Sequence, residues 1–226
     1  IDIKKHNRKK EQDVALSLLG IPIGYFFFLK GMFVSHASII TRERNAISFL
    51  GQTGSGKSSL SNYFLSKNFK FCSEDLSLIK RNHIIDRSSN WIKLSKEMIR
   101  DSMENFSDSR PIPGDRRNRE FCILKDSLVF TGTSKLKLCY VPVWGNELKI
   151  SRLDTNEAFK FLLVNSYRPK NYKNKSKLEE VALKNITNLI SNVPCFKFSR
   201  KKDMSHFAKS NNFLLGHIKE NLHSNI

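Results

Sequence analysis

The sequence lacks the cysteine pattern of a stapled or metal-bound domain. Its four cysteines, Cys72, Cys122, Cys139 and Cys195, lie far apart, with no CxxC pair and no Cys/His cluster. This argues against a structural zinc site or a disulfide framework and fits the reducing cytoplasm. Long hydrophobic runs are also missing. The best candidate, 14–29, falls short of the roughly 20 residues that a membrane span needs, and Gly20, Pro22 and Gly24 break it. A buried helix within 14–29 is expected and no membrane span; no small-residue cleavage site follows to suggest a signal peptide. Acidic residues are scarce, 21 against 39 Lys and Arg, for a formal net charge of +18. The basic residues are scattered over the whole length, so the charge reads as a solvated surface bias. A nucleic-acid partner is disfavoured, while an acidic or phosphorylated one is compatible.

What is present is concentrated in 46–65, AISFLGQTGSGKSSLSNYFL. Strand-like residues Ala46 to Leu50 run into Gly51, Gln52, Thr53, Gly54, Ser55, Gly56, Lys57, Ser58 and Ser59, and an amphipathic segment follows with Leu60, Phe64 and Leu65 at helical spacing. This is the strand, glycine loop and helix of a phosphate-binding P-loop, GxxxxGK[ST]. Such a loop closes its backbone N–H groups around an anion, and the helix dipole aims at the same place. Lys57 is expected to reach the β/γ-phosphates of a nucleoside triphosphate and the Ser58 hydroxyl to ligate Mg²⁺.

The 226 residues suffice for one α/β domain, divided here into a basic arm or fragment end (1–10), a P-loop domain (11–206) and a C-terminal helix or tail (207–226). The chain begins at Ile1 and not at Met, which leaves open whether it is full length. A helical stripe is expected over 11–19, a buried strand over 31–40 carrying His36, and a turn over 41–45. After the P-loop helix, an apolar strand ends in Glu74-Asp75, where a P-loop enzyme holds Mg²⁺ or a base. A hairpin is expected over 78–85, a helix from Ser95, and a loop over 105–118. That loop can bring Arg116, Arg117 or Arg119 over the γ-phosphate, or equally be a solvated turn. Strands follow at 121–124, 127–130, 136–143 and 148–150; then come a helix capped by Asp154 and Glu157, a second helix over 176–191, a strand over 194–199 and a tail helix from Phe207.

Four stretches in order carry a resemblance: Lys30-Gly31 with Ser35-His36-Ala37-Ser38; Phe49-Leu50-Gly51 with Gly56-Lys57-Ser58-Ser59-Leu60; Phe71-Cys72-Ser73-Glu74-Asp75; and Val193-Pro194-Cys195-Phe196-Lys197-Phe198. Over 18–203 the chain resembles the HPr kinase/phosphorylase C-terminal-domain-like kinases, including the HPr-kinase-like proteins of modified-peptide gene clusters. The resemblance implies an α/β P-loop kinase with a mixed β-sheet and flanking helices, as in HPr kinase and the nucleotide-binding part of phosphoenolpyruvate carboxykinase. It implies ATP and Mg²⁺ as cofactors, transfer of the γ-phosphoryl group to a hydroxyl of a peptide, protein or metabolite, and homo-oligomeric assembly. By the same resemblance Lys57, Glu74, Asp75 and His36 are the catalytic candidates, with Ser58, Glu74 and Asp75 around the metal. The family's paired aspartates are Glu74-Asp75 here, so which carboxylate is base and which is metal ligand stays open. Without the resemblance, His36 reads as a core histidine. Two other readings remain: an NTP-binding switch associated with nucleic acid, and an ATP-binding relic without activity.

Overall fold

A computed structural model describes residues 21–87, 89–112, 114–166 and 175–223. The basic arm at 1–10 and the helical stripe at 11–19 lie outside the described residues. The chain forms an α/β fold in which helices cover both faces of a mixed nine-stranded sheet, with a separate three-stranded antiparallel sheet beside it.

The large sheet is built around strands β2 (Ala37–Arg42), β3 (Asn45–Leu50), β4 (Lys70–Ser73), β10 (Thr133–Trp144) and β12 (Cys195–Arg200). β3 and β12 both pair with β10 in parallel, while β2 lies antiparallel between β3 and β4. The ends of β3, β4, β10 and β12 and the start of β2 therefore reach the same edge. β10 is long enough to share its other side between two partners. Its first residues pair with β6 (Ile84–Asp86), which leads through β5 (Ser77–Ile79) to β1 (Phe33–Ser35), and its later ones pair with β12, which carries β11 (Lys149–Arg152).

Alternation along the strands divides the core. Ala46, Leu50, Cys139 and Val141 pack under helices α4 (Thr155–Val164) and α5 (Lys175–Asn192). Ile47, Phe49, Leu138 and Tyr140 face helices α2 (Lys57–Leu65) and α6 (Phe207–His223). The pairing of β10 with β3 slips between Leu136 and Leu138. This bulge places Leu136 on the same side as Cys139 and Val141. The C-terminal segment thus folds as the helix expected of it, with Leu214 and Ile218 fully buried.

The small sheet contains β7 (Trp91–Ser95), β8 (Phe106–Pro111) and β9 (Arg119–Leu124), with the short helix α3 (Lys96–Arg100) after β7. Ile92, Leu94, Cys122 and Leu124 pack on Leu65 and Phe71, tying it to the end of α2 and to β4. A buried amide chain adds direction: Asn62 on α2 donates to Ser102 Oγ at 2.8 Å and accepts from Asn105 Nδ2 at 3.2 Å.

Several local expectations are corrected. The 105–118 stretch is a loop only in part, because β8 forms an edge strand whose side chains are largely exposed. Its order comes from backbone bonds to β9 and not from an apolar face. The 127–130 stretch is a 3₁₀ turn with a single bridge from Val129 to Phe71. The strand expected over 31–40 is two strands broken at His36, whose N–H leaves the ladder and donates to Asn165 O at 2.8 Å. Helix α1 (Ile21–Leu29) forms, yet only part of it is buried: Phe28 is inside while Phe26 and Leu29 are exposed. Among the described residues no helix is long and apolar enough to cross a membrane.

Candidate functional site

The edge where the strands end opens into a cleft of about 1440 Å³, and the glycine loop between β3 and α2 forms its floor. Gly56 stands at the N-cap of α2 with φ 86°, and no side chain caps the helix. The amides of the first helical turn are therefore left for the cleft. Only glycine fits at this position: a Cβ would collide with the Arg200 guanidinium as well as being strained by the positive φ. Lys57 is just 6% exposed, and its Nζ donates to Gly51 O at 2.6 Å and Gln52 O at 3.1 Å. Burial lowers its pKa, and the charges of Glu74 and Asp75 work against that shift.

The two carboxylates after β4 point in different directions. Leu76 N–H donates to Glu74 O at 2.7 Å across Asp75, a tight three-residue turn in which Asp75 takes φ 61°. Glu74, 3% exposed, is turned inward. One of its oxygens accepts from Ser38 Oγ at 2.6 Å and the other from the Ser58 hydroxyl. Asp75 is turned toward the cleft, where His36 Nε2 lies 3.2 Å from Oδ1 and Lys93 forms an ion pair with Oδ2. His36, Lys57, Ser58, Glu74 and Asp75, separated in sequence, thus come together at one point.

This split separates the two acids electrically. Burial and the neighbouring Asp75 charge push the Glu74 carboxyl up to about 7, against the hydrogen bonds from Ser38 and Ser58. For Asp75, burial also pushes upward, but the His36 hydrogen bond and the Lys93 charge outweigh it and hold the carboxyl well below the usual range.

A pH-dependent stability follows from Glu74. Between its ordinary value of 4.5 and about 7, the folded protein keeps a proton that the unfolded chain releases. Stability therefore falls as pH rises through that window, by up to about 3 kcal/mol. Glu74→Gln keeps the shape and removes the titration. Denaturant unfolding of both proteins at pH 5 and 7.5 should show the parent losing stability relative to the variant. A difference that stays constant across this range would contradict the raised pKa.

The arginines expected from the 105–118 segment divide three ways. Arg119 is clamped by Asp115 through Nη2 at 2.7 Å and Nε at 3.1 Å. Asp115 also accepts the backbone N–H groups of Arg117 and Arg119, which freezes the turn before β9. Arg117 reaches the glycine loop, its guanidinium about 3.0 Å from where a Cβ on Gly54 would stand. Arg116 is exposed and does not line the cleft.

Three further residues at the site escape sequence reading. Lys93 comes from the small sheet and is held over the rings of Trp91 and Phe121 at 5.4 and 5.3 Å. Arg200, at the end of β12, is 1% exposed; its Nη2 donates to Ser55 O at 3.3 Å, while Nε and Nη1 have no hydrogen-bond partner among the described residues. Burial lowers its pKa to about 10, leaving it a cation at neutral pH. Trp144, at the end of β10, donates Nε1–H to Gly54 O at 2.9 Å. The available signals were weak: a basic residue ending an apolar strand, and one of two tryptophans just before a glycine.

No family profile matches the sequence, and comparison with curated proteins finds no match either. Among solved structures, the HPr(Ser) kinase/phosphatase from Coxiella burnetii is similar over 85% of this chain and 94% of that chain, at 12% identity and a TM-score of 0.41. Nothing about the chemistry of the present chain follows from a likeness at that level.

Proposed function

We propose that the chain is an ATP-dependent phosphotransferase that delivers the γ-phosphoryl group to a hydroxyl of a peptide, protein or small metabolite. The observation that carries this reading is the meeting of three parts at one sheet edge: the glycine loop with Lys57, the Ser58–Glu74 pair, and Asp75 with His36 and Lys93. The loop amides of 51–59 and the start of α2 cradle the triphosphate, and Lys57 exchanges loop carbonyls for phosphate oxygens.

The donors beside the loop suit Mg²⁺. Ser58 and Glu74 offer hard oxygen ligands, and no cluster of three or more His, Cys, Asp or Glu that could cage a metal occurs among the described residues. Magnesium characteristically takes one or two carboxylates and completes its shell with water and substrate phosphates. A buried Glu74 with a raised pKa also gains most from a cation that favours its ionised form. When bound, Mg²⁺ supplies neutralisation of the β- and γ-phosphate oxygens.

The different directions of the two carboxylates support different roles. Glu74, bonded to Ser58, holds the metal side, while Asp75 faces the cleft and accepts the proton of the acceptor hydroxyl. In that role Asp75 must first be relieved of its ion pair. Lys93 is the residue to move, since an ammonium beside Asp75 can shift to an incoming γ-phosphate and leave the carboxylate more basic. His36 then orients Asp75 through its remaining bond.

The test is transfer of label from γ-labelled ATP to a panel of peptides, proteins and small hydroxyl metabolites. Incorporation into one class establishes the activity and names the acceptor. One observation favours a second reading, a nucleotide-binding module without turnover: the strongly lowered pKa of Asp75 makes it a weak base. ATP binding with neither incorporation nor hydrolysis would put that reading first.

A further inference from the structure

Trp144 has no part in the chemistry above, yet it is fixed to the glycine loop. The strands lie in the order β4, β2, β3, β10, β12. The loop after β3 is therefore flanked on one side by Glu74 and Asp75, after β4, and on the other by Trp144 and Arg200, ending β10 and β12. In phosphoryl transfer the metal ligands and the base act at the β/γ end of the triphosphate. The nucleoside of the same molecule must then leave the loop on the opposite flank.

That flank has the form of a stacking platform. The indole N–H is tied to Gly54 O at 2.9 Å, and its six-membered ring stands about 3.3 Å from where a Cβ on Gly56 would be. The Arg200 guanidinium covers the ring at 4.6 Å from its centroid and also lies over the Phe198 ring at 5.0 Å. Trp144 nevertheless remains 40% exposed, and it lines the cleft. An aromatic ring fixed at its edge, backed by a cation and open to the cleft can stack on a base with little ordering cost. Beside it, Nε and Nη1 of Arg200 are buried at the loop without a partner among the described residues, and a buried donor is strongly favoured to find an acceptor.

Resting on the nucleotide reading above, we propose that Trp144 is the platform on which the base of the bound nucleoside triphosphate stacks. Arg200 backs the ring and gives its free N–H groups to the phosphate nearest the sugar. The flank of the loop that carries Trp144 is thus the nucleoside end of the site.

The experiment compares ATP with inorganic tripolyphosphate, which has the same phosphate chain and no base. Binding of each is measured by calorimetry to the parent protein, Trp144→Leu and Trp144→Phe. Trp144→Leu should weaken ATP roughly tenfold, within the range found for base–aromatic stacking, and leave tripolyphosphate within twofold. Trp144→Phe, which keeps a π-face but loses the N–H bond to Gly54, should recover most of the ATP affinity. An equal loss for both ligands, or no loss for ATP, would overturn the platform and leave the phosphate loop standing. A parent protein that binds neither ligand would remove the nucleotide reading itself, and the platform with it.

Discussion

Asp75→Asn is expected to lower phosphate transfer by roughly a hundredfold or more while leaving ATP affinity within a few-fold. Asparagine keeps the size of the side chain and tolerates the left-handed conformation that Asp75 adopts at φ 61°, so the tight turn between Glu74 and Leu76 is retained. What disappears is the charge and the basicity. Docking of the triphosphate rests on the glycine loop, Lys57 and the start of α2, none of which hydrogen-bonds Asp75. Loss of the ion pair frees Lys93, so ATP affinity moves upward if it moves at all. Initial rates of label transfer to the acceptor found in the screen, together with an ATP titration of each protein, test the assignment. A variant that transfers phosphate as fast as the parent would move the base away from Asp75.

Lys57→Ala is expected to abolish the stabilisation that ATP gives the parent protein. A ligand at 100 times its dissociation constant contributes roughly 2.7 kcal/mol. In a chain of this size that corresponds to a rise in melting temperature of roughly 5–10 °C. Lys57 is a buried cation that donates to two loop carbonyls and is favoured by the charges of Glu74 and Asp75. Its removal takes away the charge that the phosphates meet and leaves Glu74 and Asp75 less compensated. The unliganded variant need not be unstable, since burial already disfavours the ammonium. The informative quantity is therefore the ATP-induced shift and not the baseline. An unchanged shift in the variant would defeat the phosphate-loop reading.

The parts of this protein legible in the sequence are those encoded within a few consecutive residues. The glycine loop at 51–56 and the helix after it form one contiguous signal, because strand, turn and helix each leave their own local pattern. The capping box of Asp154 and Glu157 was readable for the same reason, and both of its reciprocal bonds are present. The acid pair at the end of β4 was found by its distance from the loop. Its division of directions was not readable, because it depends on the turn at Asp75 and on Ser38, Ser58, His36 and Lys93 arriving from other elements.

Strand β8 escaped detection because its largely exposed side chains carry no apolar alternation, and its order lies mainly in backbone pairing with β9. Lys93, Arg200 and Trp144 escaped for a different reason. By itself each is an ordinary charged or aromatic residue, and only the neighbour it meets gives it meaning. The sequence alone determined an α/β chain with a glycine loop, a following helix and a carboxylate pair. The tertiary structure decided what surrounds them: parallel pairing of β3, β10 and β12 carries Trp144 and Arg200 to the loop, and packing of the small sheet on α2 brings Lys93 to Asp75. Strand pairing and packing act between residues distant in the chain, so their consequences leave no local periodicity to read.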